Sequence, residues 1–226
     1  MENSISVILP AYNEEKNIRK AVENAISALE KISKDYEVIV VDDGSKDKTG
    51  EIANSLKSEK VKVIHHEKNM GYASALKTGF KNAEKELIFF TDADNQFDLN
   101  ELKKFVPLSK YYDVVIGYRL NRHDPLHRLI ISRCYNFLIR ALFGIKVRDI
   151  DCAFKLFRKE VIKHIEIKHK GWLINTELMV KILKKGYKFK EVPVMHYPRT
   201  EGKTTVSFKS IIETFFGLIR LKIELI

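Results

Sequence analysis

Four short runs of β-branched and aromatic residues, each closed by a polar loop, constrain this chain more than any other feature. Ile5–Leu9 stops at Pro10, and Glu37–Val41 ends in Asp42-Asp43-Gly44-Ser45. Val61–His65 precedes Asn69-Met70-Gly71, and Leu87–Thr91 runs into Asp92-Ala93-Asp94-Asn95-Gln96. Helical patterns fill the gaps. Ile18, Val22, Ile26 and Leu29 recur at helical spacing from Asn17 to about Ile32, and Ile52, Ala53 and Leu56 mark a second helix. On a third, Gly71, Ala75 and Gly79 form a small-residue stripe that lets a helix lie close to a sheet. Strand and helix in alternation predict an α/β fold with a mostly parallel, doubly wound sheet. Right-handed crossovers put the loops after these strands on one edge, where open α/β sheets hold their ligands. Glu14, Asp43, Asp92 and Asp94 are therefore expected to converge.

Asp92 and Asp94, two apart in an extended segment, point to the same side. Together they suit a hard, oxygen-liganded cation such as Mg²⁺ or Mn²⁺. A polar turn closing a strand has the same composition, and Asn13 or Ser45 could simply cap the helices that follow. Capping accounts for the Asn and Ser but not for the clustered acids. No G-x-G-x-x-G follows the first strand and no G-x-x-x-x-G-K-[ST] occurs, which disfavours a Rossmann dehydrogenase and a P-loop enzyme.

The formal net charge of +10 favours an anionic partner: nucleotide, nucleic acid or acidic membrane surface. Zinc-type Cys/His spacing, an RNP-like aromatic pair and a basic arm are all missing, so no nucleic acid is expected. Cys134 and Cys152 lie in no C-x-x-C, and with no signal peptide at the start they are expected to be reduced and cytosolic. The most apolar segment, residues 129–143, is interrupted by Arg133 and Arg140 and falls short of the roughly 18 residues of a membrane span.

In the second half, Asp113–Gly117 reads as a strand leading to Tyr118-Arg119. Residues 125–143 read as a helix with Pro125 in its first turn. Leu126, Leu129, Ile130, Arg133, Phe137 and Arg140 share one stripe of it. Burying an unpaired guanidinium is costly. The stripe therefore faces an internal acid (Asp149, Asp151 or Glu177) or an anion at a membrane interface. Ile211–Ile226 is apolar on one side and carries Arg220, Lys222 and Glu224; we read it as an interfacial helix, with a dimerisation helix as the alternative.

Pro10-Ala11-Tyr12-Asn13-Glu14, Val41-Asp42-Asp43-Gly44-Ser45, Asn69-x-Gly71 and Asp92-Ala93-Asp94-x-Gln96 resemble the motifs of family-two GT-A glycosyltransferases. Within that family the chain is similar to dolichol-phosphate mannose synthases and related polyprenyl-phosphate sugar transferases, from residue 5 to about residue 208. The resemblance implies one nucleotide-diphospho-sugar transferase-like catalytic domain over 1–226. Its nucleotide-sugar half would be 1–120, its acceptor-side half 121–210, and its C-terminal amphipathic helix 211–226. Pro10, Tyr12, Glu14, Val41 and Asp43 would line the nucleoside pocket. Asp92 and Ala93 would sit by the ribose and first phosphate, and Asp94, with Asp92 and Gln96, would hold Mg²⁺ or Mn²⁺ on the diphosphate. Arg119, Arg133 and Arg199 would meet phosphates.

Further along, Asp149–Arg158 resembles the family's acceptor-side D-x-x-x-G-F-[RK]-L-F segment, with Ala153 in place of glycine. Cys152 is read there as a packed small residue rather than a nucleophile. Trp172–Leu178 stands where other members carry T-E-D at a helix start, and Leu178 replaces the acid that deprotonates a sugar hydroxyl. A phosphate acceptor is already a nucleophile and needs no such base, although Asp151 or Glu177 could still serve as one. Val192–Thr205 resembles a V-P-x…R-x-x-G-x-S-K loop that carries Arg199. Gly202 would supply turn freedom, and Thr205 replaces the usual lysine, for which Lys203 or Lys209 could substitute.

The implied activity is inverting, metal-dependent hexose transfer from a GDP-mannose- or UDP-glucose-type donor to a polyprenyl (dolichyl) phosphate, by a peripheral protein on the cytosolic membrane face. A membrane-anchoring subunit or a homodimer is a further partner expectation. The rival readings are transfer to a sugar hydroxyl and a catalytically silent nucleotide-binding subunit.

Overall fold

The computed structural model describes residues 3–122, 126–199, 201 and 208–224. The chain runs β1 (Ile5–Ala11), α1 (Ile18–Glu30), β2 (Tyr36–Asp42), α2 (Thr49–Ser55), β3 (Val61–His65), α3 (Tyr72–Asn82) and β4 (Leu87–Thr91). Two 3₁₀ segments, Leu99–Lys104 and Val106–Lys110, lead to β5 (Val114–Leu120) and α4 (Leu126–Phe143). Then follow β6 (Phe154–Arg158), α5 (Lys159–Lys163), a 3₁₀ turn Gly171–Leu173, α6 (Ile174–Lys184), β7 (Phe189–Met195) and α7 (Phe208–Glu224).

The strands form one sheet in the order β3-β2-β1-β4-β6-β5-β7. Only β6 runs against its neighbours; the other pairings are parallel. Period-two alternation sends successive side chains to opposite faces. Ile5, Val7 and Leu9, with Val38, Val40 and Phe89, pack under α1 and the 3₁₀ segments. Ile8, Ile39, Val41, Ile88 and Phe90 pack under α3, α6 and α7. Helices on both faces explain why β1, β2 and β4 read as continuous apolar runs.

Close packing against the sheet is visible at Gly79, where a Cβ would come within 2.3 Å of Ile8 Cγ2. Gly71 departs from the expected stripe. It precedes α3 at φ 91°, and a Cβ there would touch nothing, so it serves the turn rather than the contact.

β6 and β7 depart from the sequence reading. The former carries a fully buried lysine, Lys155, in mid-strand. The latter reads FKEVPVM, where only Val192 and Val194 are buried. As an edge strand it tolerates Pro193, which cannot donate to a ladder; the expected 192–205 loop therefore begins only after Met195.

At the far end, α7 buries Leu218 and Leu221, brings Gly217 against Leu173, and donates Lys222 Nζ to the Leu142 carbonyl at the end of α4. Phe215, Phe216, Ile219 and Ile223 on α7, and Leu126, Ile130 and Phe137 on α4, are exposed. Among the described residues no helix is long and apolar enough to cross a membrane.

Candidate active site

β1 and β4 are neighbours, but the chain continues from β1 to β2 and from β4 to β5, toward opposite edges of the sheet, and loops at such a switch point open a crevice. The β1–α1 loop brings Glu14 to it, and β4 ends there in Asp92-Ala93-Asp94. Asn95 takes a left-handed conformation (φ 58°), and its amide donates to the Asn17 carbonyl at 3.1 Å, tying the turn to the start of α1. The Gln96 N–H donates to Asp94 Oδ1 at 3.1 Å, which aims that carboxylate.

A segment from β7 closes over this turn. Tyr197 N–H donates to the Gln96 carbonyl at 2.9 Å, and the Gln96 side chain donates back to the Tyr197 carbonyl at 3.0 Å. Its amide nitrogen thus holds that segment, and Oε1 is the atom that would face a metal. Arg199 follows, its Nη2 on Glu14 Oε1 and its Nη1 at 3.9 Å from Asp94 Oδ2. The fold therefore brings Glu14, Asp94 and Arg199 together from positions far apart in sequence. Thr200, Gly202, Lys203, Thr204 and Thr205 lie outside the described residues, as does the side chain of Lys209.

The loops after β1, β2 and β3 are cross-linked in detail. Asn13, at φ 55°, donates its N–H to Ser45 Oγ at 3.0 Å and accepts from Lys46 N–H through Oδ1 at 2.8 Å. Glu14 N–H donates to Thr49 Oγ1 at 2.7 Å. Asn13 and Ser45 therefore cap no helix; they fasten one loop to the other. Asp43 is buried, and its carboxylate is filled by His66 Nδ1 at 2.6 Å, Met70 N–H at 2.9 Å and Gly71 N–H at 2.7 Å. These three donors fasten it into the wall. Asp42 is held likewise by His65 Nδ1 at 2.8 Å and Ser45 N–H at 3.0 Å. Pro10 and Val41 are paired in register and buried, whereas Tyr12 is half-buried at the loop.

Deeper in the crevice, acids outnumber partners. Burial, with Asp94 close by, pushes the Asp92 carboxyl up to about 7, against the pull of Tyr72, Lys155 and Arg119. Asp94 is raised by burial too, opposed by Gln96 N–H and Arg199. Asp151 is pushed up to about 6 by burial and by Asp149. Lys155 lies beneath, donating to the Cys152 carbonyl and to Asn175 Oδ1 at 3.1 Å; burial lowers its pKa. Tyr72 stacks on Trp172 at 4.9 Å, and its buried hydroxyl faces Asp92.

Arg119 is gripped by Asp149 through two bonds, Nε–Oδ2 at 2.6 Å and Nη2–Oδ1 at 2.8 Å. This ion pair raises the guanidinium pKa despite burial, and it holds Asp149 low. Beside the pair lies a cavity of about 330 Å³ whose wall carries Arg119, Arg122, Arg133, Arg140, Arg148 and Asp149. Neither stripe arginine takes the acid partner that buried pairing would require: Arg140 donates to the Val147 carbonyl, and Arg133 is exposed in the cavity wall. Glu177 is fully buried and saturated by Lys168 N–H, His169 N–H and Lys181, so it is structural and no base. Cys152 is buried, its thiol pushed up to about 12, which rules out a thiolate nucleophile.

Sequence reasoning missed His65, His66, Lys155 and Tyr72. The only available signal was the pair of histidines directly after a β-branched strand, facing acids after the neighbouring one.

A metal fits this crevice in one particular way. Among the described residues no three His, Cys, Asp or Glu side chains enclose an ion by themselves. Two neighbouring under-neutralised carboxylates instead match Mg²⁺ or Mn²⁺, which complete their coordination with water and phosphate oxygens.

The fold has known counterparts. Glucosyl-3-phosphoglycerate synthase from Mycobacterium tuberculosis, in complex with phosphoglyceric acid, superposes at TM-score 0.77 and 18% identity over 97% of this chain and 80% of that one. A structure of the same enzyme with Mn²⁺, uridine diphosphate and glucosyl-3-phosphoglycerate superposes at TM-score 0.73 and 19% identity, over 96% and 80% of the two chains. Sheet order and crevice thus define a GT-A glycosyltransferase fold. Residues 6–166 match glycosyl transferase family 2, and the chain belongs to that family. It is 31% identical over 222 residues, 96% of its length, to an undecaprenyl-phosphate 4-deoxy-4-formamido-L-arabinose transferase from Pectobacterium atrosepticum, of which it spans 66%. It is also 31% identical over 211 residues to glycosyltransferase AglD from Haloferax volcanii, with 88% of this chain and 34% of that protein aligned.

Proposed function

We propose that the protein transfers a sugar from a nucleotide-sugar to a polyprenyl phosphate at a membrane surface. The observation that carries this reading is the adjacency of two sites. A carboxylate crevice for a metal-bound diphosphate and an arginine-walled cavity for an anion meet at the Arg119–Asp149 pair. The family membership and the polyprenyl-phosphate chemistry named for one relative support it. Leu178, buried where a base would stand, fits an acceptor that arrives as an anion.

Asp94, with Asp92, would hold Mg²⁺ or Mn²⁺, which when bound neutralises the departing diphosphate. Arg199 would exchange its contacts with Glu14 and Asp94 for phosphate oxygens. Arg119 and Arg133 would orient the acceptor phosphate, and the Asp149 grip fixes the angle of Arg119. Attack in line with the leaving group would invert the anomeric centre. The exposed apolar faces of α4 and α7 suit peripheral attachment at the cytosolic membrane face, with a homodimer or an anchoring subunit as further occupants of those faces.

Transfer from radiolabelled GDP-mannose and UDP-glucose to a short polyprenyl phosphate, with Mn²⁺ or with EDTA, tests the reading. A metal-dependent lipid product supports it; nucleotide release without lipid product points instead to a hydroxyl acceptor. That second reading has one observation in its favour, the Asp151 carboxyl raised to about 6, within the range of a general base.

A further inference from the structure

The cavity beside Asp149 holds more positive charge than an acceptor phosphate needs. A phosphate monoester carries about −2 at most. Five guanidinium groups face this space, and Asp149 is already consumed by Arg119. Arg119, largely buried on Asp149, and Arg133 suffice for one phosphate. Arg140 and Arg148 remain, placed together by the bond from Arg140 to the Val147 carbonyl. The Nε and Nη2 of Arg140 donate to the Val147 carbonyl at 3.3 and 3.0 Å, which fixes the guanidinium and leaves its Nη1 edge for a ligand. Arg148 lies over the Tyr118 ring at 4.7 Å, and its Glu191 partner stands off at 3.8 Å.

Apolar side chains rim the same opening. Phe137 lines the cavity yet is 72% exposed, and Ile130 and Leu126 stand exposed along the same helix. Arginines held at the level of a phosphate, beside aromatic and aliphatic groups facing outward, reproduce the depth profile of a bilayer surface. A free anion would have no use for those apolar groups. A second copy of the chain would bring like charge against like. Basic pockets beside membrane-facing helices bind anionic head groups.

We propose that the Arg140–Arg148 end of this cavity binds the phosphate headgroup of an anionic membrane lipid, next to and distinct from the acceptor phosphate. Assigning Arg119 and Arg133 to the acceptor rests on the function proposed above; the Arg140–Arg148 site does not. Headgroup capture would seat α4 at a fixed depth and so present the cavity mouth to the lipid-borne acceptor.

The test is flotation of the full chain with phosphatidylcholine vesicles, with and without phosphatidylglycerol, at physiological ionic strength. The expected result is a preference of about tenfold or more for phosphatidylglycerol, given the attraction of each basic residue near an anionic surface. R140Q/R148Q should remove most of that preference. K57Q/K103Q, which removes equal charge from exposed positions off the cavity, should change it by less than about twofold. Equal losses in both pairs would mean diffuse attraction and overturn the site. So would full displacement of vesicles by millimolar inorganic phosphate, which would make the cavity a site for free anions. Cavity-dependent self-association in sedimentation velocity, without a phosphatidylglycerol preference, would make it an interface between copies. Because Arg140 also braces Val147, R148Q alone is the second variant should the double one unfold. Transfer by the unaltered chain in detergent tests the acceptor reading separately: its failure alongside an intact lipid preference sinks that reading and spares this one.

Discussion

The two sides of the crevice are built on opposite terms. On the nucleotide side, Asn13, Ser45, Asp42, Asp43 and Thr49 all have partners within the protein, and the three loops after β1, β2 and β3 are stitched into one wall. On the transfer side, Asp92, Asp94 and Asp151 crowd together with their carboxyls raised, and Arg133 and Arg148 stand in an open cavity. The first arrangement costs nothing further when a ligand arrives, because its dipoles are already oriented. The second is incomplete without a cation on one flank and an anion on the other. A site of this kind sacrifices stability where ligand charge is to be received, and spends hydrogen bonds where shape is to be kept.

The largest expected effect breaks the transfer side alone. Asp94→Asn should lower transfer by about a thousandfold or more, the scale of losing a transition-state electrostatic contact. It also removes a repulsive neighbour of Asp92, so the melting temperature should hold or rise. A variant that keeps its activity, or loses it only by unfolding, would contradict the assignment of Asp94.

Next comes the nucleotide wall. Gly44 sits at φ 68°, and a Cβ there would lie 2.4 Å from the Lys68 carbonyl carbon, a backbone atom that cannot swing away. Gly44→Ala should cost about 3 kcal/mol, at the upper end for a strained left-handed residue, read by urea denaturation. A loss below about 1 kcal/mol, the low end for such strain, would show that the wall can relax.

How much of this contrast the sequence displays depends on how local each interaction is. β1 to β4 and their helices are legible because each strand is a short apolar run with a breaker behind it. The acids after β1 and β4 come together by the crossover rule alone. β6 was hidden because Lys155 interrupts an apolar run, and its charge makes sense only once Asp92, Asp151 and Asn175 surround it. The internal partners of Asp43 were hidden for a similar reason. As a loop acid it looks like a ligand acceptor, and nothing in its vicinity announces that His66, after a different strand, fills it. The arginine cavity draws on β5, α4 and the segment beyond α4, a spacing with no local signature.

A smaller effect follows from proton linkage on the transfer side. Asp92 and Asp151 keep their protons to about 7 and about 6 when folded, well above the ordinary aspartate value of 3.8. The folded chain therefore binds more protons than the unfolded one between about pH 4 and 7, and in that window metal-free stability falls as pH rises. Asp149 and Glu177 are shifted the other way, and their contribution is lost only as pH drops through their lowered values. In EDTA the melting temperature should thus be lower at pH 7.5 than at pH 5.5, reflecting a loss of about 2 kcal/mol in unfolding free energy. Mn²⁺ should restore stability at the higher pH and do little at the lower, where the proton occupies its place. Equal Mn²⁺ effects at both values would mean that the ion binds elsewhere.

The smallest effect is the most discriminating, because its sign reverses. Arg199 lies between Glu14 and Asp94, so without nucleotide its guanidinium supplies part of the positive charge a metal would bring. Arg199→Gln removes that competitor. Mn²⁺ binding to the nucleotide-free chain should then tighten about threefold, a change of under 1 kcal/mol that suits a partly exposed charge pair at 3.9 Å. With a nucleoside diphosphate present, the same substitution removes a phosphate partner, and binding of the metal–nucleotide complex should weaken by about tenfold. Titrating Mn²⁺ by calorimetry in both conditions separates the roles. Weakening in both would make Arg199 a structural strut for the segment over the crevice. Tightening in both would make it only an occupant of the empty site, with no part in holding phosphate. Opposite signs would show one side chain serving as stand-in cation before the donor binds and as phosphate ligand afterwards.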